Sequence, residues 1–231
     1  MIIRGALPLR SRWSAAVCVL YITSPANTPK FLTVSLLYLV RHGETDYNKF
    51  RRWQGRVDIS LNDRGIQQAQ QVKMWFQEQG IEVPRTYASP LRRAVETAHI
   101  VQTDRSQIVV DKRLIEIDMG EYDGRYEDEL VKEVGVERYE RWRGENFAVA
   151  APGGESIFDV MQRLKGFAGE FVTGALKDLC IVAHQGVLVA IKSLLTECSN
   201  PQALGEFRQK NSEIDIWNML EKQRVGTVDV G

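Results

Sequence analysis

The 231-residue chain is short of the residues from which metal and redox sites are built: it has three histidines and three cysteines. The spacing of Cys18, Cys180 and Cys198 fits neither a zinc site nor a disulfide framework. Cys180, inside the apolar run LCIVA, reads as a small buried hydrophobe. None of the three is followed by arginine six residues later, so a Cys-x5-Arg anion loop is absent. A P-loop and a G-x-G-x-x-G fingerprint are absent too. There is no surplus of charge: 30 Lys+Arg face 30 Asp+Glu. That balance gives no general attraction to nucleic acid or to an anionic membrane. An anionic ligand must therefore be held by a local group of cations. With 44% apolar and 26% charged residues, the composition is that of an ordinary globular chain, long enough for one sizeable core.

Acidic residues are missing before Glu44, whereas Arg4, Arg10, Arg12, Lys30 and Arg41 precede it. The apolar run at residues 15–22 (AAVCVLYI) is far too short to span a bilayer as a helix. With Ser24-Pro25-Ala26 behind it, this start has the form of a secretory signal cleaved after Ala26, or of an acid-poor organelle transit peptide. The plainer readings are a disordered leader, or a true start at Val34 or Leu36. Residues 1–33 are set apart from the fold, and residues 34–231 are expected to form one domain. That domain is expected in the cytoplasm, or outside it if residues 1–26 are a targeting segment.

Residues 35–40 (SLLYLV) form a continuous apolar run, the pattern of a strand buried on both faces. Asn62-Asp63 opens a helix with Ile66, Ala69, Val72 and Phe76 on one face, and Gly80 stops it. Residues 85–88 are a second strand. Ser89-Pro90 then reads as N-cap and first turn of a helix striped by Leu91, Ala94, Val95, Ala98 and Val101. Residues 107–110 are a third strand, 155–172 a helix, 179–183 a strand, 187–195 a helix and 213–219 a final strand. Strands alternating with helices predict an α/β three-layer sandwich, a mostly parallel central sheet with helices on both faces. A charged, aromatic and helical stretch around residues 126–148 adjoins no strand and is read as an insertion covering the edge of the sheet.

The residues just past each buried strand carry the chemistry. Arg41 and His42 come after the first, Ser89-Pro90-Leu91-Arg92-Arg93 after the second, and His184 after the strand at 179–183. If these strands are parallel, their carboxyl ends share the edge where open α/β sheets bind ligands. Two histidines and at least two arginines then converge as an anion site suited to a phosphoryl group.

These segments resemble the motifs of the histidine phosphatase superfamily, with its phosphoglycerate mutase-like fold. Leu39-Val40-Arg41-His42-Gly43-Glu44-Thr45 with Asn48 resembles the Arg-His-Gly signature. Ser89-Pro90-Leu91-Arg92-Arg93-Ala94 with Thr97-Ala98 resembles the second motif, whose arginine falls on Arg93. Leu114-Ile115-Glu116, with Met119-Gly120-Glu121-Tyr122-Asp123-Gly124, resembles the acid-bearing motif. Pro152-Gly153-Gly154-Glu155-Ser156 and His184 complete the order. The resemblance implies that His42 is the nucleophile forming a phosphohistidine. It implies that Arg41, Arg93 and His184 spread the charge of the transferring group. Asn48 and the Gln54-Gly55 stretch are implied as neutral donors. Gln185 stands beside His184 where many relatives have glycine, and is counted with the substrate contacts. Glu116, preferred over the nearby Asp118 and Glu121, is implied as general acid and then base. No metal or other cofactor is required, because arginines and histidines supply the charge. His99 and Arg92 are read as structural and solvated residues.

Mutase and phosphatase share this apparatus. The stretch Gly120-Glu121-Tyr122-Asp123-Gly124 resembles the phosphatase branch, and the longer insertion of true mutases is missing. Hydrolysis of small phosphate monoesters is the expectation, with phosphoglycerate mutase-type transfer and a non-catalytic phospho-ligand module as alternatives. The expected partner is a small phosphoester, not nucleic acid or membrane. Arg138, Tyr139, Arg141, Trp142 and Arg143 in the insertion, with Arg51 and Arg52, are either recognition groups for a second anion or a sugar ring, or a solvated amphipathic face.

Overall fold

The computed structural model describes residues 20–22, 30–32, 35–145, 147–174 and 177–231. Strands β1 (Leu20–Ile22) and β2 (Lys30–Leu32) pair antiparallel as a small sheet of their own. The sequence pattern alone assigns no strand there. The remainder of the leader lies outside the described residues.

The main sheet contains β3 (Leu36–Arg41), β4 (Arg85–Ala88), β5 (Ile108–Val110), β6 (Leu179–Ala183), β7 (Ile214–Asn218) and β8 (Gln223–Val228), in the order β5-β4-β6-β3-β7-β8. The pairs from β5 to β3 are parallel, and β7 and β8 add antiparallel. The helices are α1 (Asp46–Lys49), α2 (Asp63–Glu78), α3 (Arg92–Val101), α4 (Glu127–Val134), α5 (Val136–Gly144), α6 (Ile157–Gly174) and α7 (Gln185–Thr196). None of the helices among the described residues is long and apolar enough to cross a membrane.

Alternation along the central strands explains their unbroken hydrophobicity. Tyr38, Val40, Cys180 and Val182 pack with α2 and α3 through Val72, Phe76, Ala94 and Ala98. Leu37, Leu39, Ile181 and Ala183 face the other way, onto Leu164, Phe167, Leu188 and Ile191 of α6 and α7. Both faces of these strands are covered, as a parallel sheet requires. Each large apolar side chain fully buried here contributes roughly 1.5–3 kcal/mol by leaving water.

Three local expectations need correction. Ile66 is 39% exposed rather than in the core. The first turn of α2 is pressed against the loop after β3, so closely that a Cβ on Gly65 would stand 2.1 Å from the carbonyl oxygen of Glu44. Gly65 and Gln68 thus face inward, and Ile66 turns out. Helix α3 begins at Arg92, not at Ser89-Pro90. Its first N–H donates to Asp58 Oδ1 at 2.6 Å, so another segment supplies the cap. Strand β8 is a sixth strand, beyond the final one expected. Its polar, largely exposed sequence QRVGTV suits a sheet edge and lacks the apolar alternation that marks a strand.

Candidate active site

The register of the parallel strands brings the site together. Arg41 pairs with Ala183 and Ala88 with Val182, so β3, β6 and β4 end level with one another. The next residues in the chain, His42, His184 and Ser89, therefore meet at one edge. The His42 N–H donates to the Ala183 carbonyl at 3.0 Å and that of Ser89 to the Val182 carbonyl at 3.1 Å. The two imidazole centroids lie 5.1 Å apart.

A cavity of about 360 Å³ opens beside them, lined by Arg41, His42, Asn48, Gln54, Glu116 and Gln185 among others. Of the residues expected at the site, Arg93, His184 and Gly55 do not line it. Arg93 is fully buried and donates to the carbonyls of Val57 and Gly55 at 2.8 Å each, and through Nε to His184 Nδ1 at 3.2 Å. His184 Nε2 meets Ser89 Oγ at 2.7 Å. Since guanidinium only donates, His184 Nδ1 is the acceptor and Nε2 carries the proton. Gly55 is no free donor, because its N–H is held by Asp123 Oδ1 at 2.7 Å. Its part is to accept from Arg93. A side chain there would meet the Ile117 carbonyl at 2.7 Å.

His42 is 2% exposed, and its Nδ1 lies 2.7 Å from the Gly43 carbonyl oxygen. A carbonyl only accepts, so Nδ1 bears the hydrogen and Nε2 keeps its lone pair. Burial, followed by the Arg93 and Arg41 charges, holds the His42 pKa well below the usual imidazole range. Burial and the same two arginines act alike on His184. The nucleophilic form is thus favoured by the site itself.

Polar atoms without protein partners mark where an anion fits. Arg41 Nη1 donates to the Gln209 carbonyl at 2.8 Å, but its buried Nε has no partner among the described residues. Gln185 Oε1 accepts from the Gln209 N–H at 3.2 Å, while its buried Nε2 has no partner among the described residues. Asn48 Oδ1 accepts from the N–H and Oγ1 of Thr45 and from Asn211 Nδ2, which leaves its amide nitrogen as a donor. Buried unpaired donors on a cavity wall are costly unless a ligand satisfies them. Gln54 is held through Thr45 Oγ1 at 2.6 Å.

Glu116 is 4% exposed. Burial raises its pKa above the usual carboxylate range, against the N–H groups of Ile117 and Gly186 and the arginine charges. The Ile117 N–H lies 2.8 Å from Oε1, and the first turn of α7 supplies Gly186 at 3.2 Å and Val187 at 3.3 Å. Asp118 pairs with Arg56 at 2.9 Å and Glu121 is exposed; neither lines the cavity. The Pro152–Ser156 turn braces the Glu116 loop from outside. Glu155 N–H donates to the Asp118 carbonyl at 2.9 Å, and Arg163, held by Glu155, donates to the Ile115 carbonyl at 2.6 Å.

Sequence reasoning misses the segment at residues 209–212. Gln209 anchors through Nε2 on the Leu39 and Glu213 carbonyls and holds both Arg41 and Gln185. Asn211 Nδ2 donates to the His42 carbonyl at 3.0 Å. Ser212 N–H donates to the Arg41 carbonyl at 3.0 Å. No motif announces these residues, since they act on partners far away in the chain.

Comparison with known proteins identifies the family. The family described as histidine phosphatase superfamily (branch 1) matches residues 37–226. Phosphoserine phosphatase 1 of Hydrogenobacter thermophilus is 36% identical over 135 residues, 58% of this chain and 63% of that protein. A 2,3-bisphosphoglycerate-dependent phosphoglycerate mutase of Parvibaculum lavamentivorans is 31% identical over 177 residues, 74% of this chain and 84% of its own. The structure of a mycobacterial glucosyl-3-phosphoglycerate phosphatase superposes with a TM-score of 0.69 at 28% identity, covering 79% of this chain and 92% of that one. With a family match that runs over most of its length, the chain belongs to the histidine phosphatase superfamily.

Proposed function

We propose that the protein is a metal-independent phosphatase that hydrolyses small phosphate monoesters through a phosphohistidine on His42. The observation that carries this reading is the hydrogen bond from His42 Nδ1 to the Gly43 carbonyl, which leaves Nε2 unprotonated in a cavity shared with Glu116. Nε2 attacks phosphorus, and the P–O bond to the leaving group breaks. Glu116 gives its proton to the departing oxygen. Arg41 Nε, Gln185 Nε2 and the Asn48 amide donate to the phosphoryl oxygens, the buried Arg93 charge adds to the field, and the neutral His184 ring holds its place beside His42. Glu116, now a carboxylate, takes a proton from water. That water attacks phosphorus, the P–N bond breaks, and orthophosphate leaves with His42 neutral again.

Glu121-Tyr122-Asp123 and the similarity to proteins named phosphatases support hydrolysis; the similarity to a mutase keeps phosphoryl transfer between phosphoglycerates as the second reading. The deciding experiment is hydrolysis of p-nitrophenyl phosphate in EDTA by wild type and by His42→Ala. Activity that survives chelation and vanishes in the variant is expected. Equal activity in both proteins would remove His42 as nucleophile. A wild type that is inactive here but isomerises phosphoglycerate would establish the mutase.

A further inference from the structure

A buried ion pair takes no part in the chemistry above. Lys192, on the third turn of α7, and Asp215, in β7, are both wholly buried, and the ammonium donates to Asp215 Oδ2. Burial lowers the lysine pKa to about 8, so the ammonium is present at neutral pH. The carboxylate is held from the other side as well. Its Oδ1 accepts from Thr227 Oγ1 on β8 at 2.6 Å and lies 3.8 Å from Arg224. Replacing such a pair by well-packed apolar side chains is often neutral or stabilising, so stability alone does not account for charge at this place.

The same ammonium makes a second bond, to the Phe207 carbonyl at 2.8 Å. Phe207 and Asp215 are the two ends of the segment that grips the site. Between them, the Gln209 carbonyl accepts from Arg41 and the Gln209 N–H donates to Gln185. Asn211 Nδ2 donates to the His42 carbonyl and to Asn48, and the Ser212 N–H to the Arg41 carbonyl. One side chain thus closes a ring around residues 207–215. It does so from α7, whose first turn carries Gln185 and the N–H groups that meet Glu116. A slide of the segment along α7 would change the distance between Arg41 and Gln185. An ammonium resists that slide because it has three donors and holds a carbonyl and a carboxylate at once, which no apolar side chain does.

We propose that Lys192 is a positioning residue: paired with Asp215, it clamps both ends of the segment 207–215 to α7 and so sets the spacing of Arg41, Gln185 and Asn48. This deepens the phosphatase reading and rests on it for the role of those three groups as donors to phosphoryl oxygens. Lys192 itself lies outside the cavity lining and acts through the Phe207 carbonyl and Asp215.

Two variants separate positioning from packing. Lys192→Met strands the Asp215 carboxylate in the core and is expected to melt well below the wild type. K192M/D215N removes both charges at nearly constant shape and keeps an acceptor for Thr227, so its melting midpoint is expected close to that of the wild type. Its net charge is also unchanged, so a loss of anion affinity reports geometry rather than the long-range field. On the full chain at pH 7, amide exchange over residues 207–213 is expected to be roughly tenfold faster in the double variant, with β3 and β6 unchanged. The dissociation constant for inorganic phosphate, measured by calorimetry, is expected to rise about fivefold although the fold is restored. Phosphate binding within about twofold of wild type, or a segment that exchanges at the wild-type rate, overturns the clamp and leaves the pair a packing element. Exchange needs neither ligand nor turnover. A wild type that neither binds phosphate nor hydrolyses p-nitrophenyl phosphate counts against the phosphatase reading, while exchange still decides the clamp.

Discussion

Ser89 and His184, at the ends of the neighbouring parallel strands β4 and β6, are joined by a 2.7 Å hydrogen bond between Oγ and Nε2. With Arg93 donating to the other ring nitrogen, the serine receives the imidazole proton and fixes the tautomer. Ser89 is wholly buried, so no water replaces it. Ser89→Ala is expected to leave a buried N–H unpaired and to cost about 1–3 kcal/mol in urea unfolding. Turnover should fall with it, because the ring beside His42 loses its orientation. An unchanged midpoint would deny this bond a role.

The opposed protonation preferences of His42 and Glu116 predict the pH profile. His42 must be neutral to attack. Burial and two arginines lower its pKa, so the acid limb of kcat/KM lies well below pH 6.5. Glu116 must be protonated to serve a poor leaving group. Burial raises its pKa, so the alkaline limb lies above 4.5. Glu116→Gln should remove the alkaline limb and slow alkyl phosphates far more than p-nitrophenyl phosphate. The second ionisation of the substrate, near pH 6, is common to both proteins, so the difference between their profiles reports Glu116. Equal slowing of both esters would take the acid role away from it.

Much of this site is legible in the sequence, for physical reasons that also set the limit. The runs at β3 and β6 are apolar throughout because both sheet faces are covered, and parallel register then carries Arg41, His42 and His184 to one edge. Ser89-Pro90 misleads because a helix cap and a hydrogen-bond acceptor for histidine call for the same residue. Gly55 misleads because proximity to the site in sequence does not say which way its N–H points. Gln209 and Asn211 leave no local trace, as their contacts are made across the fold.

Gly186 bears on Glu116 through space rather than by hydrogen bonding alone. A Cβ added there would stand 2.7 Å from Glu116 Oε1 and 3.0 Å from Ile117 Cγ2. The carboxyl group is enclosed and cannot retreat without giving up the α7 N–H groups. Gly186→Ala is therefore expected to displace the acid, with about 1–3 kcal/mol of overpacking cost in stability. The kinetic sign is specific: alkyl phosphates slow more than p-nitrophenyl phosphate, as for Glu116→Gln. Loss of stability with no such selectivity would mean that the carboxyl group adapts.

Asn211 provides the sharpest test of the overlooked segment. Its Nδ2 donates to the His42 carbonyl at 3.0 Å and to Asn48 Oδ1 at 3.2 Å, tying the nucleophile's backbone to a residue proposed to bind phosphate. Alanine removes one donor from two acceptors, and a loss of about 1–3 kcal/mol is the upper range expected. Aspartate nearly keeps the shape but replaces the donor with an oxygen facing two others, and it adds negative charge where an anion should bind. If Asn211 acts as a donor, Asn211→Asp must be worse than Asn211→Ala in both stability and KM. With Asn48 no longer held, KM should rise in either variant by a larger factor than kcat falls. A role in filling space would give the reverse order, with aspartate the milder change, and measuring the two variants side by side separates the cases.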